Sequence, residues 1–299
     1  MDVIIEEQGL RDGFQNESYC VPTEIKLSLI DQLIDAGLTR IQIGSFVHPR
    51  YVPQMADTDE LAQRLKRRSD ITYSGLVLNL RGVTRAIDAG MDHLAVSLSA
   101  SNTHSQKNTR KTLTEAQSAF KEMLQLTRAH SIQVRGGIQC AFGCRYEGDI
   151  AIGHVLDLVK HHLDCGVDEI ALADSTGMAH PRLIFDLLPQ VLELTADKAV
   201  ILHLHDTEGK AMANALAALQ SGVRHFDTGL AGMGGCPYIP GASGNLATED
   251  LVHFVQQMGY QSGINLHALL PLVQQVEQLF DRTFPSKMSK VLQQSHLKT

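Results

Sequence analysis

Two histidines one residue apart close a β-rich run, His203-Leu204-His205-Asp206. Side chains two apart on a strand share a face, so both imidazoles can reach one ion. Imidazoles joined by a carboxylate form a donor set for divalent metals. Asp12 offers such a carboxylate within Gly9-Leu10-Arg11-Asp12-Gly13, where Arg11 adds a fixed cation. The plainer reading of that segment is an Arg–Asp pair closing a turn. A third cluster is Gly229-Leu230-Ala231-Gly232-Met233-Gly234-Gly235-Cys236-Pro237-Tyr238, followed by Gly241-Ala242-Ser243-Gly244-Asn245. So much glycine means close backbone approach to a ligand, a closing lid, or a flexible linker. Cys236 sits inside it, an odd setting for a core thiol. Asn245 is either a neutral metal ligand or the start of the next helix.

Weaker signals surround these. Asp174 ends one β-rich run and Arg135 lies on another. The stretch His104-Ser105-Gln106-Lys107-Asn108-Thr109-Arg110-Lys111 reads as a basic loop that can receive phosphates, or as ordinary solvated chain. His161 and His162 are adjacent on a helix, cannot share a face, and read as surface residues. Cys140 and Cys144 lack a second pair at zinc-ribbon distance, which argues against structural zinc.

The elements that must position these groups alternate regularly. β-Rich runs cover residues 3–8, 39–45, 71–77, 93–98, 132–142, 167–174, 199–206 and 223–229. Between them, segments such as 23–36, 113–130, 150–165, 181–194 and 210–220 carry apolar residues at a period near 3.6. Gly37, Gly90, Gly166 and Gly222 stand where helices stop before a strand. Eight strict repeats predict an α/β fold, a single (β/α)8 TIM barrel over residues 1–299. Residues 248–299 form a helical extension, with helices expected over 248–257 and 266–280. In such a barrel, chemistry gathers at the C-terminal strand ends, where the clusters above fall.

Bulk properties exclude some classes. A net charge of −7 argues against a phosphate-tracking surface, so nucleic acid is not expected as a partner. No apolar run nears the roughly 20 residues that span a bilayer. Five cysteines and no basic-then-apolar leader suggest reduced thiols and a cytoplasmic protein.

On these residues the chain resembles the 3-hydroxy-3-methylglutaryl-CoA (HMG-CoA) lyases, metal-dependent barrels with an Arg-Asp signature on the first strand. The matching segments are G-L-R-D-G-F-Q-N-E (9–17), S-F-V-H-P-R-Y-V-P-Q-M (45–55), residues 134–148, H-L-H-D-T-E-G (203–209) and G-G-C-P-Y-I-P-G-A-S-G-N-L-A-T-E-D (234–250). The resemblance implies a divalent cation, Mg2+ or Mn2+, on Asp12, His203, His205 and Asn245. It implies catalytic parts for Arg11, Asp12, His203 and Cys236, the last as a lid thiol. Arg11, Gln42, Ser45, Lys107 and Asn108 would contact an acyl-CoA thioester. Glu7, Arg135, Asp174 and Glu249 would support them, in a homodimer. The implied reaction is retro-Claisen cleavage to acetyl-CoA and a keto acid. Three departures stand out: Gln42 replaces a family glutamate near the metal, the first strand reads Glu7-Gln8-Gly9-Leu10 where the family favours valine and proline around the same glycine, and His48 and Arg50 replace a small residue and lysine. Two other readings follow, a related aldolase or Claisen condensing enzyme, and an acyl-CoA-binding relative impaired by the charge lost at Gln42.

Overall fold

The computed structural model describes residues 2–235 and 244–296. Its strands are β1 (Ile4–Glu7), β2 (Arg40–Ser45), β3 (Thr72–Val77), β4 (His93–Ser99), β5 (Gln133–Gln139), β6 (Glu169–Asp174), β7 (Val200–Leu204) and β8 (His225–Thr228). They lie in chain order, and β1 pairs in parallel with both β2 and β8, which closes the barrel. The helices outside it are α1 (Thr23–Asp35), α2 (Thr58–Arg64), α3 (Leu80–Asp88), α4 (Asn102–Thr109), α5 (Leu113–Ala129), α6 (Ile152–Cys165), α7 (Pro181–Thr195) and α8 (Ala211–Gln220). Beyond β8 come α9 (Thr248–Gln257), α10 (Leu266–Phe280) and α11 (Met288–His296). The expected TIM barrel is the observed fold. No helix among the described residues is long and apolar enough to cross a membrane.

Alternation along each strand sorts the residues. Ile5, Ile41, Ile43, Val96, Leu172 and Leu202 are buried beneath the helices, each contributing about 1.5–3 kcal/mol. Many inward positions are polar or charged, which is unusual for a lumen normally filled by branched apolar side chains. Arg40 pairs with both carboxylate oxygens of Glu169 (2.8 and 2.7 Å) and with Glu6 (3.0 Å). Arg135 lies 3.3 Å from Glu6 and clamps Asp227 with two hydrogen bonds. Burial works against an ionised Glu6, but Arg135 and Arg40 outweigh it and hold the carboxyl well below the usual range. This charged floor leaves the opposite, C-terminal end of the barrel free for a cavity. Removing one partner would strand a buried charge, at a cost of about 3–5 kcal/mol.

Three local expectations change. The segment expected as a basic loop is largely helix α4, because the Ser101 hydroxyl caps it by accepting from His104 N at 3.1 Å. His162 is not a surface residue. It is fully buried against Phe120, with ring centroids 4.1 Å apart and Nε2 at 3.2 Å from the Gly137 carbonyl. It belongs to the stripe Val155, Leu158, Val159 and His162 that α6 turns inward. Helix α11 falls within the helical extension expected over 248–299 and adds a third helix to the two placed there. The expected helix-ending glycines all carry positive φ; at Gly37 a Cβ would also sit 2.3 Å from the Gly263 carbonyl oxygen.

Candidate metal centre and active site

Strand β1 ends in a π-helical turn over Gly9–Gly13. Gln8 carbonyl accepts from both Asp12 N (2.7 Å) and Gly13 N (3.4 Å), a widened ring that swings Arg11 and Asp12 over the barrel mouth. Glycine is required at its start, because a Cβ on Gly9 would lie 2.6 Å from Glu7 Oε1. Arg11 is locked by three acceptors: Nε donates to Gln42 Oε1 (2.5 Å), Nη1 to Asp12 Oδ1 (2.5 Å) and Nη2 to Gln8 Oε1 (3.1 Å). Burial would raise the Asp12 carboxyl, but Arg11, with His203 and His205, holds it at about 2. Asp12 is therefore an anion at neutral pH.

The histidines meet it as their spacing predicts. His203 Nε2 and His205 Nε2 face each other at 2.9 Å, and His205 Nε2 lies 3.8 Å from Asp12 Oδ2. One ligand atom from each of Asp12, His203 and His205 falls within 4.8 Å of the others, all buried. Asp227 on β8 explains the orientation. Its Oδ2 lies 3.0 Å from His203 Nδ1 and is clamped by Arg135, so it is an acceptor and Nδ1 carries the proton. In the neutral tautomer the lone pair of His203 is then on Nε2, facing the centre. Burial, then the neighbouring His203, lowers the pKa of His205 to about 4, so that ring is neutral. A carboxylate beside two imidazoles is a set that fits a divalent cation. D227N is expected to weaken Mn2+ binding by about 10- to 100-fold while the circular dichroism stays native. Unchanged affinity in calorimetry would show that His203 needs no such guide.

Asn245 reaches the centre through a backbone bridge with His205, and does not cap a helix; α9 begins after Ala247. Its Nδ2 donates to Asp12 Oδ2 (2.9 Å) and to Met233 carbonyl (2.8 Å), and its Oδ1 is buried without a partner. Gly234 must lack a side chain, since a Cβ there would stand 2.1 Å from Asn245 Nδ2. Cys236 lies outside the described residues.

The supporting carboxyls act at a distance from the ligands. Glu7 faces away from the lumen and accepts from Gly9 N (2.6 Å), Leu230 N (2.7 Å) and Thr248 Oγ1 (2.5 Å). Glu249 accepts from Ala231 N at 3.1 Å. Together they pin the turn at Leu230–Gly232, the root of the glycine-rich segment. Asp174 accepts from Ala179 N (3.1 Å), so it shapes the β6–α7 loop and is not a cavity wall. Burial raises Glu249 to about 8 against its helix-terminal amide, the Ser286 hydroxyl and Ala231 N–H. The folded pKa lies above the unfolded one, so the native state holds a proton that the unfolded chain releases. Stability from this source is complete below pH 4.5 and is lost as pH rises through about 8. E249Q cannot ionise, and between about pH 6 and about pH 9 it is expected to lose about 2 kcal/mol less stability than the parent. Parallel melting profiles for the two proteins would contradict this.

A cavity of about 390 Å³ opens beside the centre. Arg11, Gln42, Ser45, Asn108 and Arg135 line it, as do His104 and Asp227. Ser45 Oγ is buried there without a partner, and Asn108 Nδ2 donates to Gln139 Oε1 at 3.1 Å. Lys107 is not a lining residue; it is exposed, with its ammonium 4.8 Å from the centre of the Tyr146 ring. Gln42 holds Arg11 by its carbonyl, while its amide nitrogen lies 3.5 Å from Ser74 Oγ, which donates to Glu6 at 2.6 Å. Asp227, Glu6, Arg40 and Glu169 were missed in the sequence reading. Their available signal is a charged residue inside or at the start of a short β-rich run, as in Arg40-Ile41-Gln42-Ile43 and Glu169-Ile170-Ala171-Leu172.

The HMGL-like family model matches residues 2–276. The chain belongs to this family. Rat mitochondrial hydroxymethylglutaryl-CoA lyase is 42% identical over 288 residues, 96% of this chain and 89% of that one. Among solved structures of HMGL-like proteins, the Bacillus subtilis HMG-CoA lyase superposes with a TM-score of 0.94 at 37% identity, covering 98% of each chain. The Acinetobacter baumannii HMG-CoA lyase, solved with coenzyme A and 3-methylmalate, gives 0.93 at 40% identity, covering 96% of this chain and 94% of that one.

Proposed function

We propose that this member of the family is a divalent-metal-dependent carbon–carbon lyase that cleaves HMG-CoA, or a close 3-hydroxyacyl-CoA, to acetyl-CoA and a keto acid. The observation that carries the reading is the buried Asp12–His203–His205 cluster beside Arg11 at the mouth of the cavity. The relatives named hydroxymethylglutaryl-CoA lyase, and the relative holding coenzyme A with a hydroxydicarboxylate, support it.

Asp12, His203 and His205 would hold Mg2+ or Mn2+, with Asn245 as a further ligand once its amide oxygen turns inward. The bound cation supplies Lewis acidity that lowers the pKa of the substrate's tertiary hydroxyl. Asp12, held as an anion beside Arg11, is the candidate to accept that hydroxyl proton, because the one lone pair of His203 would be given to the cation. The electron pair of the new alkoxide becomes the ketone, the C2–C3 bond breaks, and its electrons pass to the thioester as an enolate. Arg11, fixed by Gln42, Asp12 and Gln8, stabilises the developing enolate oxygen. Cys236 delivers the proton that turns the enolate into acetyl-CoA, and Glu7 and Glu249 anchor the segment that carries it. We assign the protein as a homodimer, to be checked by light scattering.

The test is direct: incubate the protein with Mg2+ and HMG-CoA and assay acetoacetate. No product from protein that binds Mn2+ would reject this substrate. Gln42 does not by itself argue for an impaired relative, because its carbonyl already supplies the acceptor that Arg11 requires. Q42E is therefore expected to change turnover less than about fivefold, the worth of exchanging a neutral for a charged acceptor. A much larger rise would show that the missing charge limits the native rate.

A further inference from the structure

The cavity has a wall that the chemistry above does not use. In a barrel closed in the order β1 to β8, β4 and β5 stand across the lumen from β1 and β8. Helix α4 follows β4, and His104 on its first turn lines the cavity while being only 2% exposed. Its Nδ1 lies 3.1 Å from Ser99 Oγ. The ring lines the cavity, and the described residues give its Nε2 no hydrogen-bond partner.

The partners of Ser99 settle which ring nitrogen carries the proton. Its oxygen already accepts from Ser101 N at 3.1 Å, and the described residues offer its hydroxyl hydrogen no acceptor except His104 Nδ1. Nδ1 is thus an acceptor, and the neutral ring carries its hydrogen on Nε2. Burial, opposed by Glu147, lowers the pKa to about 4, so the ring stays neutral at physiological pH. The result is a fixed, uncharged donor on the wall opposite the candidate metal centre. A compact substrate held at Asp12 would leave it unused; an elongated thioester would not.

We propose that His104 is a specificity-determining residue, donating from Nε2 to a carbonyl or carboxylate oxygen of the bound acyl-CoA. This rests on the reading of the cavity as an acyl-CoA site. Two parts of the ligand carry such an oxygen, the amide carbonyls of the pantetheine arm and the acyl group itself. Asn108, one turn along the same helix and also in the cavity wall, continues the polar track.

H104F keeps a ring of similar shape but has no donor, whereas H104Q restores an N–H. H104F is expected to lower kcat/KM for HMG-CoA by about tenfold to a hundredfold, mainly through KM, and H104Q to recover most of it. Competitive inhibition by free coenzyme A separates the two sources. A weaker inhibitor in H104F places the oxygen on pantetheine, and an unchanged constant places it on the acyl group. Wild-type kinetics in H104F would overturn the proposal, as would an H104Q that is folded yet no better than H104F. Nitrogen-15 NMR of the wild-type ring reads the tautomer without turnover, and a proton on Nδ1 would also overturn it. Absence of acetoacetate from the wild type would strike the lyase reading alone, leaving the tautomer measurement to judge His104.

Discussion

Replacing His205 with alanine is expected to abolish tight Mn2+ binding and to lower turnover of HMG-CoA by about a thousandfold or more. The cluster offers three close ligand atoms, and His205 Nε2 is central to it, 2.9 Å from His203 Nε2 and 3.8 Å from Asp12 Oδ2. Without it, Asp12 and His203 remain as an anion and one imidazole, too few to hold an ion firmly in competition with water. Lewis-acid stabilisation of a developing alkoxide is worth several kcal/mol, and each 1.36 kcal/mol is about tenfold in rate, which gives the magnitude. The fold should survive, since His205 follows the last residue of β7 and its buried Nδ1 has no partner to strand. Calorimetry with Mn2+ and an acetoacetate assay check both halves. A variant that binds the ion normally, or turns over within about tenfold of wild type, would remove the metal centre from this site.

The second large effect is expected at Arg11. R11K preserves charge but not shape. The guanidinium presents Nε, Nη1 and Nη2 to three separate acceptors, Gln42, Asp12 and Gln8. An ammonium is one point with rotatable donors and cannot satisfy that planar fork. Lysine would therefore sit displaced or mobile, and a preorganised donor loses its advantage when it must reorganise during the reaction. The expected loss is about 10²–10³ in kcat with KM little changed, the pattern of an interaction made chiefly in the transition state. A raised KM with kcat preserved would make Arg11 a ground-state binding residue.

Not every buried ionisable group in this barrel serves chemistry. Arg40, Glu6, Glu169 and Arg135 form a neutralised floor beneath the cavity, and Arg135 alone among them also bears on the centre, by clamping Asp227. Glu7 and Glu249 hold a turn. These groups look alike in sequence as acidic or basic residues near apolar strands. They differ in which face of the strand they occupy and in what stands opposite.

That difference marks the boundary between what sequence determined and what only tertiary structure decided. The alternation of eight strands and helices, the shared face of His203 and His205, and the place of Arg11-Asp12 at a strand end all follow from local periodicity. Periods of 2.0 and 3.6 are properties of short chain segments, so they survive without knowledge of neighbours. The inward stripe of α6 is legible on the same terms, and it carries His162 into the core. By contrast, Asp227 meets His203 across 24 residues, Gln42 meets Arg11 across 31, and Asn245 meets Asp12 across 233. Hydrogen-bond partners at such separations are chosen by barrel closure and register. The proton on His104, the turn of Asn245 and the retreat of Lys107 from the cavity follow from that closure, because it decides which atoms share a dry space.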